Sequence, residues 1–282
     1  MAIELATAYK SYVDELFTTE AKHPLVTTTA AFDWDGAQTV KIYKVTTAAM
    51  GDYGRGGPTS GNWSRYGSVA GLDATTETLT LSKDRAFTFG IDKLDVNETA
   101  GALDAAQALA RQIREVVIPE IDSYVLTKMC TGAGITPDAK ELSGGPGGNI
   151  YTEILKASEA LDAAEVPENG RILLVTPFTY SLMKLSPYIV METDIGQEMR
   201  ARGVLGYLDG ALVIKVPANR LPEKFGFMLC HPAATLAPVK LADYRIHQDP
   251  PGLSGSLVEG RICYDAFVLE NKADAIYYQA TT

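Results

Sequence analysis

Apolar positions follow two different periods along this chain, and where one gives way to the other marks out its elements. Leu5, Tyr9, Tyr12, Val13, Leu16 and Phe17 recur at helical spacing and form one stripe on a short helix. His23-Pro24-Leu25-Val26 and the run Thr27, Thr28 and Thr29 show no period and carry a proline, so they read as an extended arm rather than a core element. From Val40 to Thr47 the β-branched and aromatic residues predict a strand. Glu77-Thr78-Leu79-Thr80-Leu81-Ser82 predicts another, alternating at period two into Phe87, Phe89 and Ile91. Between them, Gly51 to Gly71 holds seven glycines and Pro58, interleaved with Tyr53, Arg55, Trp63, Arg65 and Tyr66. Connections above roughly 15 residues are uncommon in compact domains unless functional or disordered, and exposed aromatics argue against plain disorder. An isolated two-stranded hairpin is marginal in water, so this flap needs an external surface to lie on.

A helix is predicted from Asn97-Glu98-Thr99 onward, where Leu103, Ala106, Ala110, Ile113, Val117, Ile121 and Tyr124 keep to one stripe. Asp92, Asp95, Glu98 and Asp104 crowd its front, at the positive end of the helix dipole. Unbroken to Met129 it would extend on the order of 50 Å at about 1.5 Å per residue. Pro119 should kink it or begin a second helix, and Gly132 and Gly134 end it. After the connector Gly144 to Gly148, helices are expected at Ile154 to Ala164 and Phe178 to Leu185. Strands are expected at Arg171 to Thr176, Ala211 to Val216, Phe225 to Leu229, Leu257 to Leu269 and Ala275 to Tyr278. The predicted class is α+β.

Composition narrows the function classes. With 282 residues, 46% hydrophobic and 21% charged, the chain buries a sizeable core in one or two domains, which excludes disorder throughout. No window reaches the roughly 18 uncharged apolar residues of a membrane span. The start carries Glu4, Lys10, Asp14 and Glu15 where a signal peptide would be apolar, so a soluble chain that is not exported is expected. A net charge of -10 disfavours nonspecific binding to nucleic acid or anionic lipid. That charge is uneven: residues 1–37 carry -4, 38–90 carry +2, 91–131 carry -3 and the remainder -5. The single basic segment therefore lies between two acidic ones.

Catalytic signatures are missing. No G-x-S-x-G, H-E-x-x-H, phosphate loop or G-x-G-x-x-G is present, and Cys130, Cys230 and Cys263 form no C-x-x-C pair. They read as buried apolar groups rather than disulfides or zinc ligands. His23, His231 and His247 sit in unrelated contexts and read as loop or packing residues, Asp33, Asp35 and Gly36 as a turn, and Asp92, Asp95 and Glu98 as helix-start charges. The sequons at Asn62 and Asn97 carry little meaning without export. Neither a catalytic site, a cofactor nor a metal is expected.

The order of elements resembles the major capsid proteins of tailed bacteriophages, the Hong Kong 97 type fold. The resemblance is carried by Val40-Lys41-Ile42-Tyr43-Lys44-Val45, by Arg85-Ala86-Phe87-Thr88-Phe89-Gly90-Ile91-Asp92, and by Ile118-Pro119-Glu120-Ile121-Asp122. It continues through Arg171-Ile172-Leu173-Leu174-Val175-Thr176-Pro177, Gly203-Val204-Leu205-Gly206-Tyr207-Leu208-Asp209-Gly210 and Val213-Ile214-Lys215-Val216-Pro217. It implies an N-terminal arm at 1–37, an extended β-hairpin loop at 38–92, and a spine helix of a peripheral domain at 93–134. A mainly axial domain at 135–240 and return strands of the peripheral domain at 241–282 complete it.

The implied function is structural: copies of the chain assemble into hexamers and pentamers of an icosahedral head that encloses double-stranded DNA without sequence-specific binding. Scaffolding, portal and decoration proteins are further partners of such a shell, and no membrane is. The implied location is the virion, with assembly in the bacterial host cytoplasm. The charge pattern adds an expected inter-subunit contact. Tyr53, Arg55, Trp63, Arg65 and Tyr66 of the flap would dock over the acidic arm and over the spine start, with Asp92, Asp95 and Glu98, of an adjacent copy. Some capsids of this type join a flap lysine to an asparagine of a neighbour; Lys41, Lys44, Lys83 and Asn271 are present, but their spacing gives that chemistry no support. Two alternatives share much of this pattern: an encapsulin-like compartment shell, and a soluble hydrolase with a lid at 51–71. A monomeric adhesion or sugar-binding module is a third.

Overall fold

The structure, a computed structural model, describes residues 21–28, 39–57, 64–67, 71–98, 104–189 and 204–282. In chain order its elements are α1 (His23–Val26), β1 (Thr39–Val45), β2 (Ala74–Thr80), β3 (Lys83–Asp92), α2 (Lys93–Glu98), α3 (Ala105–Gln112), α4 (Ile118–Thr131) and α5 (Ile150–Ala163). There follow β4 (Ile172–Val175), α6 (Pro177–Leu185), β5 (Val204–Leu208), β6 (Ala211–Lys215), β7 (Phe225–Cys230), β8 (Thr235–Leu236), β9 (Val239–Gln248), β10 (Gly255–Tyr264), β11 (Phe267–Val268) and β12 (Ile276–Ala280). The chain divides into two units, Trp34–Leu81 and the remainder. The helix expected over Leu5 to Phe17 and the turn at Asp33 to Gly36 lie outside the described residues.

In the larger unit a five-stranded sheet runs in the order β12-β7-β4-β6-β5, parallel only between β4 and β6. Its central strand, Ile172-Leu173-Leu174-Val175, is wholly buried because both faces are covered, so it reads as a continuous apolar run. Ile172 and Leu174 face a cluster with Ile121, Val125, Leu126 and Met129 of α4. Leu173 and Val175 face the opposite cluster with Ile150, Ile154 and Leu161 of α5 and Met183 of α6.

Two expectations are corrected by the structure. The stretch His23–Val26 is a helical turn begun by Pro24, with Val26 fully buried, so the chain is already part of the core at this point. The long helix does not run on from Asn97: Asp104 is extended (φ -67, ψ 134), and its carboxylate accepts from the Ala106 and Gln107 amides at 3.1 Å to cap a new helix. Pro119 lies in the first turn of α4, as expected of a proline that begins a second helix. A π-helical turn at Ile113–Val117 precedes it, in which the Ile118 amide donates to the Ile113 carbonyl. Proline has no amide for the carbonyl four residues back and its ring crowds that group; the wider turn makes room and the backbone stays helical.

A second, three-stranded antiparallel sheet in the order β3-β10-β9 belongs to the same unit. Thus the run predicted as one strand from Glu77 to Ile91 is two strands. The first, β2, pairs with β1, while β3 pairs with β10, and the compact unit that holds β1 and β2 ends at Leu81. Likewise the expected strand Leu257 to Leu269 is broken at Asp265, and β12 joins the five-stranded sheet.

Phe87 and Tyr244 stack across Gly260 with ring centroids 6.1 Å apart, and any Cβ on Gly260 would run into Phe87 Cζ. Gly260→Val is expected to cost about 1–3 kcal/mol by forcing the rings apart, read from urea unfolding. An unchanged midpoint would show that the stack is dispensable.

Candidate interaction surface

The smaller unit is a bulge-free hairpin pairing Thr39 with Thr80 through to Val45 with Ala74. Period-two geometry puts Val40, Ile42, Lys44, Glu77 and Leu79 on one face, where Lys44 Nζ and Glu77 Oε2 pair at 3.0 Å. The other face presents Tyr43 (73% exposed) and Val45 (61%), and Met50 and Leu72 beyond the strands are also exposed. Apolar side chains of this size in water mark an unmet burial requirement.

At the far end, the Gly54 amide donates to the Arg65 carbonyl at 2.9 Å. Tyr53 and Tyr66 meet edge to face with centroids 5.0 Å apart. Gly54 is required there, since a Cβ would sit 2.5 Å from the Gly57 carbonyl oxygen. This places Tyr53 and Tyr66 together, with Arg55 and Arg65 exposed beside them; Trp63 lies outside the described residues. Asp92, Asp95 and Glu98 belong to the larger unit. Asp92 Oδ1 accepts from the Leu94 amide at 2.8 Å at the start of α2, and Asp92 and Glu98 are exposed. With its end at Leu81, the hairpin unit holds Lys41, Lys44, Arg55 and Arg65 against Asp35, Asp52, Asp73 and Glu77, a balance of zero instead of the +2 counted over 38–90. Any electrostatic docking therefore rests on the arginines near the tip rather than on net charge.

Three carboxylates buried among the described residues escaped the sequence reading: Glu153, which pairs with Lys140 and Lys156, and Asp122 and Asp265. Asp122, on α4, is fully buried and accepts from the Lys22 amide (2.9 Å), the His23 amide (3.0 Å), His23 Nδ1 (2.6 Å) and Arg220 Nη1 (2.6 Å). Burial by itself would raise its pKa, but the hydrogen bonds from the His23 ring and the two amides outweigh that and hold the carboxyl below its ordinary range. Asp265 Oδ2 accepts from the Ser82 amide (2.7 Å) and hydroxyl (2.8 Å), and Oδ1 from Tyr124 Oη (2.7 Å) and the Ala266 amide (2.8 Å). Burial first and the Asp265 hydrogen bond second push the Tyr124 phenol up to about 12. The available signal was a lone acid inside an apolar run, Ile121-Asp122 and Tyr264-Asp265-Ala266-Phe267, since a buried charge must find partners.

The remaining titratable candidates are tied up structurally. His231 Nδ1 accepts from the Ala233 amide at 3.2 Å, and His247 Nε2 lies 3.4 Å from Glu259. Burial pushes the Cys130 and Cys230 thiols up to about 12, far from a reactive thiolate. An open depression of about 530 Å³ on the three-stranded sheet is lined by Thr88, Asp243, Arg245, Glu259 and Arg261, among which Arg245 pairs with Asp243 and Arg261 with Asp84. Among the described residues no group of three or more His, Cys, Asp or Glu is placed to hold a metal ion, and no helix is long and apolar enough to cross a membrane.

No family model and no curated protein matches the sequence. Solved structures do match in fold. A chain from Mycobacterium phage Che8 is 18% identical with a TM-score of 0.71, covering 99% of this chain and 98% of that one. A chain of the capsid structure of the cyanophage P-SCSP1u is 15% identical with a TM-score of 0.69, covering 98% and 93%. One from the asymmetric unit of the mature capsid of bacteriophage PhiM1 is 13% identical with a TM-score of 0.68, covering 100% and 92%. The fold is thus α+β of the Hong Kong 97-like kind, along nearly the whole chain.

Proposed function

We propose that this chain is a major capsid protein of a tailed bacteriophage, a structural shell subunit and not an enzyme. The observation that carries the reading is the end-to-end agreement in fold with phage capsid chains, 98% of this chain against the cyanophage capsid and 100% against that of PhiM1. The exposed hairpin supports it independently. Tyr43, Val45, Tyr53 and Tyr66 are exposed in the single chain, and a lattice of identical copies supplies a surface for them. On this reading copies join as hexamers and pentamers of an icosahedral head enclosing double-stranded DNA, in the virion, after assembly in the host cytoplasm. Scaffolding, portal and decoration proteins are its partners.

In the lattice the hairpin lies over a neighbouring copy with Tyr53 and Tyr66 as aromatic anchors and Arg55 and Arg65 set against Asp92, Asp95 and Glu98. Each contact is weak, and repetition around a ring makes it strong. Charge reversal by Arg55→Glu with Arg65→Glu is expected to lower particle yield roughly ten-fold or more while leaving the circular dichroism spectrum unchanged. Full yield from that variant would discard the arginine contact. The proposal as a whole is tested by negative-stain imaging and sedimentation of the purified chain. Polyhedral particles or capsomer rings are expected, and a species that stays monomeric across salt and concentration would refute it.

A further inference from the structure

The chain changes character abruptly between Leu81 and Ser82. Upstream, Lys44 pairs with Glu77 and the Thr46 hydroxyl donates to the Asp73 carbonyl, partners that belong to the hairpin itself. Downstream, each residue from Ser82 to Arg85 is tied to the larger unit. Ser82 bonds to Asp265, Lys83 Nζ lies 5.0 Å over the Tyr124 ring, Asp84 pairs with Arg261, and Arg85 Nε donates to Glu120 Oε1 at 2.7 Å. These ties are unequal. The Asp84 and Arg85 pairs are exposed, and such pairs contribute little. Asp265 is 3% exposed, and its carboxylate holds four donors.

We propose that Asp265 is a clamp that holds Ser82, the first residue after the hairpin unit, to Tyr124 of α4, and that this anchorage is needed for copies of the chain to assemble into regular particles. The last clause rests on the shell reading above; the clamp itself does not. Its geometry explains why a carboxylate is needed. Each oxygen receives one backbone amide, Ser82 on Oδ2 and Ala266 on Oδ1, and an amide can only donate. A carboxamide of the same shape would turn its NH₂ toward one of those amides whichever way it faced. Tyr124, on α4, completes the clamp by joining Oδ1 to the helix, and its ring meets Tyr264 edge to face at 5.6 Å.

The test is Asp265→Asn, with Tyr124→Phe as the milder companion that keeps both Ser82 bonds. Hydrogen exchange of the free chain and imaging of assembled particles are measured for both. Asp265→Asn is expected to speed exchange over Ser82 to Arg85 about ten-fold or more, with the five-stranded sheet unchanged, and Tyr124→Phe to do so less. Particles of Asp265→Asn should be irregular or open. Unchanged exchange over Ser82 to Arg85, or equal acceleration along the whole chain, in both variants would overturn the clamp. Loosened exchange with particles identical to wild type would overturn its role in assembly. Should the wild type form no particles, the shell reading fails alone, and the exchange data still decide the clamp.

Discussion

Asp122→Ala is expected to destabilise the folded chain by about 3–5 kcal/mol, because it removes a buried carboxylate that accepts from the Arg220 guanidinium, the His23 ring and two backbone amides. Arg220 is buried and Asp122 faces it at 2.6 Å, while the amides of Lys22 and His23 point at the same carboxylate. Removing the acceptor leaves these donors in a site that water does not reach. Against a typical total stability of about 5–15 kcal/mol that is a large share, so the urea midpoint should fall sharply and residues 21–28 should become open to protease. A single variant within about 0.5 kcal/mol of wild type would show that the network is not holding the N-terminal segment to α4. The same carboxyl gives a pH dependence with a definite sign. Its folded pKa lies below its unfolded value of about 4, so its contribution is full above that pH and is lost as pH falls through the folded value. Acid should therefore release residues 21–28 in wild type, and Asp122→Ala should have no such step left to lose.

The second large effect concerns assembly and not stability. Replacing residues 46–73 with a two-residue turn between Val45 and Ala74 removes Tyr53, Tyr66, Arg55 and Arg65 together, while retaining β1 and β2 in their register. Because Trp34–Leu81 forms a unit of its own and the two core clusters consist of residues outside it, the thermal midpoint should move by only a few degrees. Particle formation should be abolished, since a contact repeated by every copy is lost from every copy at once. Sedimentation of the variant beside wild type measures this; particles at wild-type yield would mean the tip is a passive surface loop.

Regular periods were legible in the sequence. The stripes of α4, α5 and α6 and the apolar runs of β4, β6 and β7 fall where their 3.6- and two-residue repeats put them, because each packs one or two faces against a single core. Strand partnership was not legible. Alternation continues from Leu79 through Leu81 to Phe87, and nothing local says that the partner changes from β1 to β10 at Ser82; a side chain 183 residues away decides it. β9 was missed because its ten residues are mostly exposed and its apolar positions are interrupted by Asp243 and Arg245. The π turn escaped as well, since proline announces a disturbance without saying how the backbone will absorb it. Of the expected contact residues, Tyr53 and Tyr66 come together at the tip, whereas the +2 charge counted over 38–90 becomes zero for the unit Trp34–Leu81, which gains Asp35 and loses Lys83, Asp84 and Arg85. The buried acids Asp122 and Asp265 were readable only as charges in the wrong company.

Hydroxyl-radical labelling of Tyr43, Tyr53 and Tyr66 in the free chain and in assembled particles is the most direct measurement of whether this hairpin is completed by a sister copy. In the free chain all three should label readily, as their exposures of 73%, 50% and 82% require. In particles, Tyr53 and Tyr66 should be strongly protected. Equal labelling of both residues in the two states would contradict a hairpin that finds its burial on its neighbour.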